Sequence, residues 1–106
     1  MSAAPKDVGK EIVAAYRTGK VVLGTRRTTK LLLLGKVKAV VVASNAPRNV
    51  VESLKYYSKL SGTTFIEFGG TNVELGTLLG KPFGVSVLGV IDPGQSRLLE
   101  IGGSSG

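Results

Sequence analysis

Hydrophobic residues follow a helical spacing in four segments of the chain. In the first segment Val8, Ile12 and Ala15 recur every three or four residues, so they lie on one face of a helix. A glycine follows each segment, and glycine is the residue that most often ends a helix. Thr71 and Glu74 have the spacing of a capping box, which predicts the start of the fourth helix. The predicted helices span 7–18, 26–34, 47–61 and 72–79.

Short apolar runs lie between these helices and predict strands. The predicted strands span 21–23, 37–43, 63–68, 85–91 and 97–101. The runs 37–43 and 85–91 are rich in valine at consecutive positions, which is typical of strands buried on both faces. Alternating helices and strands predict a layered α/β fold, a mostly parallel or mixed sheet with helices on both faces. Binding sites in such sheets form from the loops at one edge, and here three loops qualify: 23–30, 43–48 and 80–85.

Length and composition exclude several classes of protein. The chain has 106 residues, so we expect a single domain over 1–106, with a flexible tail at 102–106. No apolar run approaches the ~18 residues of a membrane span, and we expect an intracellular protein without membrane contact that is monomeric when free. The sequence contains no cysteine and no histidine. We therefore expect no enzyme: no catalytic residue, no metal ligand and no cofactor site.

Positive charge is concentrated in the first third of the sequence. The net charge is +7; residues 1–38 hold nine cations and two anions, whereas 39–106 hold five of each. A field of this kind attracts polyanions, above all nucleic acid. Charge that merely keeps the chain soluble is the alternative explanation.

The segment from Gly24 to Lys30 places cations at the start of a predicted helix. The helix dipole disfavours cations there, so Arg26 and Arg27 are easier to explain if a phosphate backbone supplies negative charge. Arg26 and Lys30 are four residues apart and share a helix face, while Arg27 points elsewhere. Backbone amides at the same helix start favour anions.

Two side chains in the other loops have both a structural and a functional interpretation. The Asn45 amide can cap a helix or shape a turn, and it can also bind a base edge. Phe83 stands between Pro82 and Gly84, where its ring either covers the edge of the sheet or stacks on an unpaired base.

Four segments, in this order, resemble a known family. They are Leu23–Arg26, Ala43–Pro47, Tyr56–Ser61 and Val73–Lys81. The chain is similar over about Val8 to Ile101 to the L30e family, large-subunit ribosomal proteins of archaea and eukaryotes. That family belongs to the wider L7Ae/L30e group of kink-turn RNA binders.

The resemblance implies a three-layer α/β/α sandwich around a central mixed sheet of four or five strands. It also implies a ribonucleoprotein role in translation, on the cytoplasmic ribosome, with ribosomal RNA of the kink-turn type and the large subunit as partners. Under this resemblance Gly24 allows close approach of the kinked strand, Arg26 contacts RNA, Asn45 bonds to a base or sugar and Phe83 stacks. The RNA-binding residues expected are Gly24, Thr25, Arg26, Arg27, Lys30, Asn45, Lys81, Phe83 and Gly84.

A rival class stays open at this point. A non-ribosomal α/β module for a protein or a small anionic ligand has the same length, charge and element order. The position of Arg26, Lys30, Asn45 and Lys81 separates the two, because RNA binding requires them on one face.

Overall fold

The computed structural model describes residues 5–99, with side chains described from residue 8. This part of the chain contains four helices and four strands, and a further helical turn begins at Leu98. The helices are α1 (Pro5–Thr18), α2 (Thr25–Leu33), α3 (Arg48–Ser61) and α4 (Asn72–Leu78). The strands are β1 (Lys20–Leu23), β2 (Ala39–Val42), β3 (Thr64–Glu67) and β4 (Val87–Asp92). The predicted capping box is confirmed: Thr71 Oγ1 accepts from the Glu74 amide, and the Glu74 carboxylate accepts from the Thr71 amide.

The strands form one mixed sheet in the order β1-β4-β2-β3. Strands β2 and β3 are parallel, and β4 runs antiparallel to both of its neighbours, β1 and β2. Val42 pairs with Glu67 on one side and with Val87 on the other, while Leu23 pairs with Leu88. The ends of β1, β2 and β3 and the start of β4 therefore lie at one edge of the sheet, here called the loop edge.

Helices cover both faces of the sheet, as the resemblance predicted. Ala39 and Val41 of β2 pack in the cluster that contains α1 and α4, whereas Val40 and Val42 pack in the cluster that contains α2 and α3. All four side chains are buried because β2 is an inner strand with a helical layer on each side. The result is a three-layer α/β/α sandwich around four strands.

Helix α2 packs on the sheet through Thr28 and Leu32, both fully buried. Leu32 joins the apolar cluster of the α2–α3 layer. The Thr28 hydroxyl has no hydrogen-bond partner among the described residues. A polar atom is therefore enclosed in the contact between α2 and the sheet.

The prediction of a final strand over 97–101 is wrong for the residues that the structure describes. Leu98 and Leu99 are helical, and Leu98 is buried in the α1–α4 cluster. A short apolar pair cannot by itself distinguish a strand from one buried turn of helix. Residues 100–106, including the predicted tail at 102–106, lie outside the described residues. Among the helices of residues 5–99, none is both long and apolar enough to cross a lipid bilayer.

Candidate nucleic-acid interface

All three loops singled out in the sequence lie at the loop edge. Gly24 follows β1, Ala43–Pro47 follows β2, and the segment 79–86 precedes β4. A fourth loop, 68–71, follows β3 at the same edge. It is tied to the second loop because the Ser44 amide and hydroxyl both donate to the Gly70 carbonyl, at 2.9 and 3.0 Å.

Gly24 sets the start of α2. Its φ of 106° and ψ of 149° belong to a backbone region that only glycine adopts readily. The Gly24 amide donates to the Val87 carbonyl at 2.9 Å, which fixes the start of α2 beside the start of β4. No side chain caps this helix and its first turn contains no acidic residue, so its first amides are available to an external anion.

A cleft of about 580 Å³ opens between the start of α2 and the loop before β4. Its walls include Tyr16, Gly24, Thr25, Arg27, Phe83 and Gly84. The Phe83 side chain is 56% exposed. The ring therefore does not serve as a buried plug for the sheet edge, and its face is accessible beside the cationic Arg27.

Asn45 is paired with Asn72 of α4. Asn45 Nδ2 donates to Asn72 Oδ1 at 2.8 Å, and the Asn72 backbone amide donates to Asn45 Oδ1 at 2.8 Å. Asn45 does not cap α3, which begins after Pro47 without a side-chain cap. We call this two-bond pair the Asn45–Asn72 clasp; Asn45 stays exposed at the loop edge.

The clasp extends to the loop that carries Phe83. The Asn72 carbonyl accepts from the Val85 amide at 2.9 Å. A Cβ atom on Gly84 would lie 2.6 Å from Asn72 Nδ2, so glycine lets the two loops approach this closely. Asn72 thus holds together the loops that follow β2 and β3 and the loop that precedes β4.

The remaining predicted cations lie around this edge. Lys81 lies beside Phe83, and its Nζ is 5.3 Å from the ring centroid of Tyr16, a wall of the cleft. Arg26 and Lys30 are exposed on α2, with Lys30 one turn further from the edge. The predicted divergence of Arg26 and Arg27 is confirmed because only Arg27 lines the cleft.

In the folded chain the excess of positive charge lies on one helical layer, the layer formed by α2 and α3. Helices α2 and α3 carry six cations and one anion, whereas α1 and α4 together carry three of each. The only described ion pair of the α2–α3 layer joins Arg48 to Glu52 at 3.3 Å and is exposed. The first third of the sequence is strongly basic, but the part of it that forms α1 is balanced by α4 in the folded chain.

Asn72 is the loop-edge residue that sequence reasoning missed. It follows the N-cap Thr71, so the sequence assigned it only to a helix start. Its partner Asn45 lies 27 residues earlier, and nothing in the spacing joins them. The one indication in the sequence was that Asn72 is a polar residue in the first turn of a helix that follows Gly69 and Gly70.

Comparison with known proteins gives consistent results. The model of the Ribosomal protein L7Ae/L30e/S12e/Gadd45 family matches residues 6–100. A protein of Pyrobaculum calidifontis named Large ribosomal subunit protein eL30 is 44% identical over 95 residues, which are 90% of this chain and 94% of the relative. A protein of that name from Methanothermobacter thermautotrophicus is 47% identical over 97 residues, 92% and 99% of the two chains. Another from Sulfolobus acidocaldarius is 48% identical over 90 residues, 85% and 86% of the two chains.

Proposed function

Because the chain belongs to the Ribosomal protein L7Ae/L30e/S12e/Gadd45 family, we propose that it is an RNA-binding component of the large ribosomal subunit. Its role is structural and not enzymatic, and its place is the cytoplasmic ribosome. The loop edge holds a kinked internal loop of ribosomal RNA, of the kink-turn type. The observation that carries this proposal is the convergence of an exposed aromatic ring, an uncapped helix start and a cation around one cleft.

Each part of the edge matches one chemical feature of a bent RNA. An unpaired base at the bend stacks on the exposed ring of Phe83. Phosphates bind the first amides of α2 together with Arg26, Arg27 and Lys30. Gly24 and Thr25 allow the RNA strand to approach the backbone closely, because no side chain projects from Gly24.

The Asn45–Asn72 clasp fixes the centre of this surface. Asn45 keeps one amide hydrogen and one lone pair beyond its two bonds to Asn72, and these face the base or sugar at the bend. Lys81 and Gly84 shape the loop that presents Phe83. A surface ordered before binding loses little conformational entropy when RNA binds.

A binding titration tests the proposal directly. We expect the chain to bind a kink-turn RNA more tightly than a fully paired control RNA of the same length, at two salt concentrations. Fluorescence anisotropy with labelled RNA measures both affinities. Equal affinity for the two RNAs would leave only unspecific electrostatic attraction and would contradict recognition of the bend.

A further inference from the structure

Helices α2 and α3 expose three large apolar side chains away from the cleft, and Leu34, the C-cap of α2, is exposed as well. Leu33 is 59% exposed, Tyr56 60% and Leu60 67%. Tyr56 and Leu60 are four residues apart on α3 and share a face of that helix. Leu33 lies at the end of α2. The proposed RNA edge uses none of them.

The topology places these three side chains on neighbouring helices. Strands β1 and β2 run in the same direction, so α2 and α3 run side by side and end away from the loop edge. Arg27 of α2 lines the cleft beside β1, and Arg48 of α3 lines a cavity beside β3. With 100° per residue, Leu33 then lies on the α3 side of α2 and Leu60 on the α2 side of α3. Tyr56 lies opposite the buried Leu54 and Ser58 and faces outward beside Leu60.

The two helices therefore border an outer groove, here called the α2–α3 groove, whose walls change in character along its length. Nearer the loop edge the residues on the same helix faces are polar: Thr29 on α2, and Asn49 and Ser53 on α3. Toward the helix ends the walls are apolar, with the three side chains named above. Lys59, an exposed cation of α3, precedes Leu60 in the sequence and lies on the outer side of the apolar half.

We propose that the apolar half of the α2–α3 groove binds an acidic amphipathic segment of a partner protein. Clustered exposed aliphatic side chains mark protein contacts, and the leucines have no apolar counterpart in an RNA backbone. Lys59 favours carboxylates beside the groove, and the α2–α3 layer, with six cations and one anion, attracts an acidic partner as a whole. An amphipathic helix that places leucines in the groove and glutamate beside Lys59 meets these requirements.

This contact is compatible with RNA at the loop edge. Leu60 lies 12 residues after the first residue of α3, a distance of roughly 18 Å along the helix axis. One molecule therefore presents two surfaces at the two ends of α3. The groove does not depend on the proposed RNA-binding role, and it can be tested without RNA.

The experiment uses the full chain and two synthetic helical peptides. Both carry leucine at positions i, i+4 and i+7; in one the flanking residues are glutamate, in the other lysine. We expect the glutamate peptide to bind about tenfold more tightly and to shift the amide resonances of Leu33, Tyr56 and Leu60 in a nitrogen-15 titration. Leu60→Ala should weaken that binding about fivefold to tenfold, while affinity for kink-turn RNA stays unchanged.

Charge reversal makes the test sharper. Lys59→Glu should weaken the glutamate peptide and strengthen the lysine peptide by about fivefold each, and Lys10→Glu on α1, with the same charge change, should alter neither. Equal binding of the two peptides, or resonance shifts outside the groove, would overturn the proposal. So would displacement of the glutamate peptide by RNA, or a concentration-dependent dimer buried at Leu60 in sedimentation, since RNA or a second copy would then be the occupant.

Discussion

Individual side chains at the loop edge differ in how much of their role depends on neighbours. The role proposed for Phe83 requires only an accessible ring, and the ring is 56% exposed. The orientation of the Asn45 side chain depends on Asn72, because its Nδ2 and its Oδ1 both form hydrogen bonds with that residue. Predictions for the two residues therefore take different forms, a single substitution for the first and a coupling for the second.

Phe83→Ala should weaken binding to kink-turn RNA by about 1–3 kcal/mol, because one stacking platform is lost. The midpoint of thermal unfolding should hardly change, since the ring is mostly outside the core. Tyr56→Ala is the matched control: its ring is exposed to a similar extent, 60% against 56%, but lies on the α2–α3 layer. Equal losses of RNA affinity in the two variants would rule out stacking at Phe83.

Asn45→Ala and Asn72→Ala should each weaken RNA binding, and their effects should not add. Once one partner is gone the clasp is lost, so the double variant should fall short of the sum by about 1 kcal/mol. A double-mutant cycle measured by RNA titration provides this coupling. Asn45→Ala combined with Arg26→Ala, a pair without a hydrogen bond in the described structure, should add within about 0.5 kcal/mol. Strict additivity of the Asn45 and Asn72 effects would show that the clasp does not organise the site.

At the scale of elements, α2 links the stability of the fold to the loop edge. Its buried side positions the whole helix on the sheet through Thr28 and Leu32, and its first turn contributes to the cleft. A change on the buried side should therefore act on the free energy of unfolding without altering the chemistry of the exposed side.

Thr28→Val should stabilise the chain by about 1 kcal/mol. The substitution keeps the shape of the side chain and removes a buried hydroxyl that has no partner among the described residues. Urea unfolding followed by circular dichroism measures the change. Thr29→Val, at a partly exposed neighbouring position where the hydroxyl can reach water, should stay within about 0.5 kcal/mol of the parent chain. Destabilisation by Thr28→Val would mean that the hydroxyl has a partner after all.

Sequence patterns predicted the elements well where periodicity and end signals agreed. All four helices were located within a few residues, because apolar spacing and a following glycine indicated the same boundaries. The strand expected at 97–101 had only a short apolar pair to support it, and Leu98 and Leu99 turned out helical. The loops of Gly24 and Phe83 lie at one edge, as the sequence predicted. For Phe83, which precedes its strand, the reason is that β4 runs antiparallel to its neighbours, and no sequence pattern indicated that direction. Nor did any pattern indicate the Asn45–Asn72 clasp, because it joins side chains 27 residues apart through the tertiary fold.

For the whole molecule, the two helical layers differ in charge. Six cations against one anion on α2 and α3, and three against three on α1 and α4, give the folded chain one strongly basic side. An electrostatic effect on RNA affinity should therefore depend on the layer in which a charge is removed, not only on the net charge that remains.

Arg26→Gln with Lys30→Gln should flatten the plot of log affinity against log salt by about 1.4–1.8, at about 0.7–0.9 per lost phosphate contact. Titrations with kink-turn RNA at four salt concentrations measure the slope. Lys10→Gln with Arg17→Gln removes the same charge from α1 and should leave the slope nearly unchanged. If both pairs flatten it equally, RNA responds only to net charge and α2 makes no local contact.

The position of β4 in the sheet affects when the chain can fold during its synthesis. β4 is last along the chain among the described strands, yet it stands between β1 and β2, and β1 pairs with no other strand of the sheet. The Gly24 amide donates to the Val87 carbonyl, and the Asn72 carbonyl accepts from the Val85 amide, so both hydrogen bonds require the segment at the start of β4. A nascent chain can therefore form the proposed RNA-binding edge only after residues 85–92 have left the exit tunnel, and under the proposed function RNA binding follows translation of this segment.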